Sequence, residues 1–235
     1  VLSVEPPHFP LSAPKELEDK WLKTELKLKP SFYEPVDYEM PLGTYGLEDR
    51  EKTLRNHQIY YAMIENLDQN VGRMTEFLKR TGLWDNTIVM LIADHGQMDG
   101  SHALRSTTKE YPFEESIGVP LIVRDPRHTE RAGATIDEPT CTEDLFPTLL
   151  GLAGLPAENN PGKNLAPLAH GEQDSLDREG VLLEYVHDIR PQIAFHGVYY
   201  RGFRTRRHKY TVLGPAAGGK PWQLFDLEAD PHEMH

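Results

Sequence analysis

Thr87-Ile88-Val89-Met90-Leu91-Ile92-Ala93 is β-branched, apolar at successive positions and short, and it runs directly into Asp94-His95-Gly96. Apolar residues on both faces predict a strand covered on both sides, as at the centre of a mostly parallel sheet sandwiched by helices. Polar residues just after such a strand fall where open α/β sheets bind ligands, beyond the carboxyl ends. Asp94 offers a hard oxygen suited to Ca²⁺ or Mg²⁺. His95 could ligate the same ion or hydrogen-bond an oxygen bound to it. Neighbouring strand residues face opposite ways, so both reach one ion only if the chain turns, which Gly96 permits. On spacing alone, an ordinary Asp-His turn is the commoner meaning of these residues.

Upstream, Tyr60, Ile64, Leu67, Val71, Met74 and Leu78 recur at spacings of 4, 3, 4, 3 and 4. That period predicts a helix over 49–81 with one apolar face, stopped by Gly82. Before it, Pro6, Pro7, Pro10, Pro14, Pro30, Pro35 and Pro41 break up any long element, leaving a short helix near Lys15 to Leu26. Val1 to Val4 reads as a strand. Downstream, Val119 to Val123 is a second buried strand and Leu145 to Leu155 a helix. Helices alternating with strands predict an α/β sandwich over 1–170. The Pro- and Gly-rich stretch 156–177 reads as a connector. Strands at Val181–Val186, Val198–Arg204, Lys209–Leu213 and Gln223–Leu227 predict a small antiparallel sheet subdomain over 171–235.

The 235 residues are 38% hydrophobic and 26% charged, which supports a packed core. A net charge of −12 argues against a general nucleic-acid binder. No apolar run approaches the roughly 18 residues of a membrane span. One cysteine, Cys141, excludes an internal disulfide. An anionic substrate would therefore need positive charge concentrated locally. Lys109, in the polar loop that leaves the same strand end, could set an ammonium on an oxyanion. His102 could add a hydrogen bond, and His8 is held in a proline-stiffened loop. Each of the three, taken alone, more often means a surface or structural residue.

Taken together the stretches resemble the sulfatase family of the alkaline-phosphatase-like superfamily. They are Glu5-Pro6-Pro7-His8-Phe9-Pro10, Tyr61 to Gly72, Leu83 to Thr87 running into Asp94-His95-Gly96, Lys109 to Pro120, Asp144 to Leu150, and Leu224 to Pro231. The resemblance implies a sulfuric ester hydrolase acting on a small-molecule or carbohydrate sulfate ester, in the periplasm or secreted. Asp94 then matches a metal ligand, and His95 a ligand or sulfate contact. Lys109 matches a sulfate-binding lysine, His8 a histidine serving the sulfate or the leaving oxygen, and His102 lies in a matched loop. The implied cation is Ca²⁺, with Mg²⁺ or Mn²⁺ as alternatives. The family's nucleophile is a formylglycine made from Cys or Ser followed by x-Pro/Ala-x-Arg. Cys141-Thr142-Glu143-Asp144 departs from that pattern, and no early Asp pair is present. The expectation is a C-terminal portion of a longer enzyme, inactive alone. The rivals are a phosphonate monoester hydrolase or phosphodiesterase of the same superfamily, and a non-catalytic glycan-binding domain. His187, Arg190 and His196 are candidates for a substrate pocket, with plain surface positions equally open.

Overall fold

Asp49 opens the longest helix. Its carboxylate accepts hydrogen bonds from the Glu51 and Lys52 amides, two of the donors a helix start leaves unpaired. The helix, α2, runs Arg50–Arg80 and ends before Gly82, whose φ of 72° suits a residue without a Cβ. A computed structural model describes residues 1–38, 40, 49–186, 199–214 and 219–235 of the protein. His187, Arg190 and His196 lie outside these residues. Val1 to Val4 is irregular and exposed rather than a strand.

The molecule divides into two compact units. The first takes Val1–Asp85, His95–Gly118 and Met234–His235, the second Asn86–Asp94 and Val119–Glu233. In the first, α1 (Lys15–Trp21) lies along α2. Trp21 stacks on Tyr61 at 5.1 Å, and its indole N–H donates to Glu65, as does Lys20. The buried positions of α2 are Thr53, Ile59, Ala62 and Met63, while Ile64 and Met74 of the periodic stripe are exposed. Contact with α1, and with Phe32 and Asp99 through His57, selects the face, and periodicity alone cannot see those partners. A short α3 (Glu114–Ile117) ends this unit's second segment.

In the second unit, β1 (Val89–Ile92) pairs with β2 (Leu121–Arg124). Among the described residues β1 has this one partner, and the pair is antiparallel, with Leu91 opposite Ile122, where a parallel setting was expected. Nor are both faces covered, since Ile92 is 46% and Ile122 60% exposed. Burial on two faces needs layers on both sides, and an apolar strand sequence records the need without supplying the layers. Leu121, which shares the face of its partner Ile92 and points away from Ile122, packs on Leu165, Leu168 and Leu176. Helices α4 (Leu145–Leu152) and α5 (Ala166–His170) follow.

The expected antiparallel sheet is present as a four-stranded meander in the order β3 (Gly180–Tyr185), β4 (Tyr200–Thr205), β5 (His208–Leu213) and β6 (Lys220–Asp226). Lys209, Thr211, Gln223 and Phe225 point to its covered face. The Lys209 ammonium there is fully buried against Glu233 and 5.9 Å from the Phe225 ring centre. Burial of two charges is tolerable only as a pair.

Candidate functional site

Asp94 stands two residues past the end of β1, exposed, at a bend. It closes one segment of the second unit, and His95 opens a segment of the first. The His95 Nδ1 lies 2.8 Å from the Gly96 carbonyl oxygen. In the neutral imidazole that contact makes Nδ1 the donor and leaves the lone pair on Nε2. The next two residues lie against another backbone: Gly96 N–H donates to Ser116 O at 2.6 Å, and Gln97 N–H to Glu115 O at 2.8 Å.

Gly96 is required here for a reason other than a turn. It does not have a positive φ. A Cβ at this position would stand 2.1 Å from the Glu115 carbonyl oxygen. Gly96→Ala should therefore push the strand-end loop off 115–116. We expect a loss of about 1–3 kcal/mol in urea unfolding, and wild-type stability would show that the close approach is not needed.

The same backbone holds Lys109. The Ser116 hydroxyl donates to the Lys109 carbonyl, and the Lys109 N–H donates to the Glu110 carboxylate at 2.9 Å. His95 and Lys109 are thus tied through one segment, residues 115 and 116. Lys109 is half-buried, and among the described residues its ammonium has no carboxylate partner.

His102 is placed differently from expectation. It is fully buried, with φ of 55°, and its ring stacks on Phe113 at 3.8 Å. Its Nε2 is 3.6 Å from Glu115, an ion-pair contact longer than a hydrogen bond. Glu115 also accepts from Ser31 at 3.0 Å and faces Lys29 at 3.5 Å. Burial pushes its carboxyl up, but His102 and Lys29 outweigh that and bring it down to about 2. Sequence reading missed Glu115 because its partners Lys29, Ser31 and His102 are far away in the chain. Asp99, His102 and Ala103 all have positive φ, a cost that side chains other than Gly bear only where the surroundings demand it. Nearby, His57 and Asp99 form a second buried pair.

His8 is exposed, and its hydrogen bonds are local: Nδ1 with Phe9 O at 2.7 Å, and its N–H to Glu5 O at 3.0 Å. Among the described residues these hydrogen bonds reach neither Lys109 nor His95. Cys141 is half-buried, and burial, together with the Asp144 charge, pushes its thiol up. A thiol so placed is a poor nucleophile, as its sequence context implies.

The strand-end carboxylate Asp94 is thus followed by a loop that carries the His95 imidazole and the Lys109 ammonium. The chain belongs to the sulfatase family, whose pattern matches residues 1–155. A second pattern, N-sulphoglucosamine sulphohydrolase, C-terminal, matches residues 101–235. The ulvan-active sulfatase of Formosa agariphila is 30% identical over 100% of this chain and 42% of its own length. The solved phosphonate monoester hydrolase of Agrobacterium radiobacter is 32% identical, with a TM-score of 0.69 over 80% of this chain and 38% of its own. BT4656, solved with its substrate D-glucosamine-2-N,6-O-disulfate, is 26% identical with a TM-score of 0.66, over 81% and 38%. The chain thus spans less than half the length of each of these relatives.

Proposed function

We infer that the full-length protein hydrolyses sulfate esters of carbohydrates and that residues 1–235 supply part of its site. Sulfatase relatives at 30% identity and the likeness to a chain solved with a disulfated glucosamine support the substrate class. The observation that carries the reading is the shared anchoring of the His95 and Lys109 segments on Glu115 and Ser116. Lys109 holds a sulfate oxygen with its ammonium. His8 serves the leaving oxygen, and its proline-rich loop sets its direction. His102 is a positioning residue: stacked on Phe113, it holds Glu115 charged and so fixes the backbone on which the other two segments rest.

Asp94 offers a carboxylate oxygen and His95 an imidazole nitrogen, donor types that suit a divalent cation, Asp94 better than His95 for Ca²⁺. Two donors fill a minority of a Ca²⁺ shell of 6–8 oxygens. When bound, such a cation offsets charge on the ester oxygens. A formylglycine nucleophile belongs to this reading as well, and Cys141 is not its source.

The phosphonate monoester hydrolase likeness favours one second reading, hydrolysis of phosphonate or phosphate diesters. Rates of the full-length protein on a 6-O-sulfated glucosamine and on a phosphonate monoester separate the two. The sulfate ester should give the higher kcat/KM, and a reversed preference would move the protein to the second class.

A further inference from the structure

The second unit gathers two imidazoles and a carboxylate at a place unrelated to the strand end. Asp125 follows β2 and is 7% exposed. His128 lies in the loop after it, and His170 is the last residue of α5. One nitrogen from each histidine and one Asp125 oxygen all lie within 4.8 Å of one another. His170 Nε2 stands 3.1 Å from Asp125 Oδ2. Two ligands on a tetrahedral Zn²⁺, with bonds of about 2.0–2.1 Å, stand about 3.3 Å apart, so this spacing suits a shared cation as well as a shared proton.

We propose that Asp125, His128 and His170 form a binding site for a divalent transition cation of the Zn²⁺ type. A salt bridge between His170 and Asp125 would explain one imidazole and leaves the second unexplained. The His128 ring lies flat on that of His170, centroids 3.6 Å apart and planes within 7°. Two imidazolium rings so close repel each other, whereas neutral rings are the form that ligates metal. Each ring also has a carboxylate on its Nδ1 side: Glu130 is 3.6 Å from His128 and Glu172 is 3.7 Å from His170. Carboxylates behind Nδ1 orient metal-ligating histidines and make Nε2 the ligand atom. Face-to-face rings aim their lone pairs in parallel, so His128 must swing outward to converge on an ion. Its side chain, 31% exposed in a loop, has that freedom.

Arg127 is the counterweight. It grips Asp125 through Nε and a terminal nitrogen and also donates to Leu152 O at 2.7 Å. Its charge opposes a cation, while its anchorage on Leu152 keeps the carboxylate in place. A carboxylate has about four lone-pair sites, enough for Arg127 and one ion. Two imidazoles and one carboxylate, with an open fourth position, select Zn²⁺, Co²⁺ or Ni²⁺ over Ca²⁺ or Mg²⁺.

Co²⁺ absorption and Zn²⁺ calorimetry on the 235-residue chain test the site. Wild type and Asp94→Ala should both give the visible bands of nitrogen-ligated Co²⁺. His128→Ala and His170→Ala should lose the bands and weaken Zn²⁺ binding by at least about 100-fold, since losing even an outer partner costs roughly 10–100-fold. His128→Ala removes a partly exposed side chain, so its metal-free melting temperature should match wild type while the rise on adding Zn²⁺ disappears. No Co²⁺ band in wild type, bands unchanged in both His variants, or bands lost in Asp94→Ala would each overturn the assignment.

Discussion

Lys109→Ala in the full-length protein should lower kcat/KM for a sulfated sugar by roughly 100- to 1,000-fold, the range for removing one preorganised donor to a charged reacting group. The argument rests on restraint and on charge. The Lys109 backbone is held on both sides, by Ser116 and by Glu110. Its ammonium has no carboxylate partner among the described residues, so its positive charge is available to an anion. Lys109→Arg should recover only part of the rate, because a planar fork replaces a point charge. A rise in KM with kcat unchanged would mean that Lys109 binds substrate and transition state equally. Unchanged kcat/KM would remove it from the site.

The second large effect is on stability. Arg178→Ala should cost about 3–5 kcal/mol in urea unfolding, the usual loss when a buried charge is left unpaired. The Asp144 side chain is fully buried. Arg178 donates to both of its oxygens, at 2.9 and 2.5 Å, and the Cys141 and Lys163 amides donate to them at 2.9 and 2.7 Å. Burial pushes the Asp144 carboxyl up, but Arg178 and the two amides outweigh it, and the net shift is downward. A carboxyl depressed in the folded state contributes stability above its ordinary value, and that contribution is lost as pH falls through the folded value. Wild type should therefore lose stability below about pH 4, and Arg178→Ala should lose less over the same window. An acid limb equally steep in both would show that other carboxylates carry it.

The antiparallel meander was legible because each strand carries its own alternation and its own turns, and strand ends differ from expectation by at most three residues. The α2 boundaries were legible from a similarly local signal, the apolar period and the Gly82 stop, while the Asp49 cap emerged only in the structure. What could not be read was which partners arrive. The buried face of α2 depends on Trp21 and Phe32, and the cover over β1 depends on elements far from it in the chain. Asp94, His95 and Lys109 were singled out as polar residues at and after an apolar strand, and the His95 and Lys109 segments both rest on residues 115 and 116. His102 was singled out with them, yet its left-handed backbone and its stack on Phe113 turn it inward. Glu115 carried no local signal at all. Asp125 and His128 stand three apart, a visible ligand spacing, but His170 completes them from 42 residues further on.

The dependence of hydrolysis on the carboxylate beyond β1 is best tested by titrating Ca²⁺ into full-length Asp94→Asn and wild type while following release of sulfate from a sulfated glucosamine. Asp94→Asn should need far more cation and reach at most about one hundredth of the wild-type rate. Superimposable titration curves would contradict the placement of metal chemistry at this strand end.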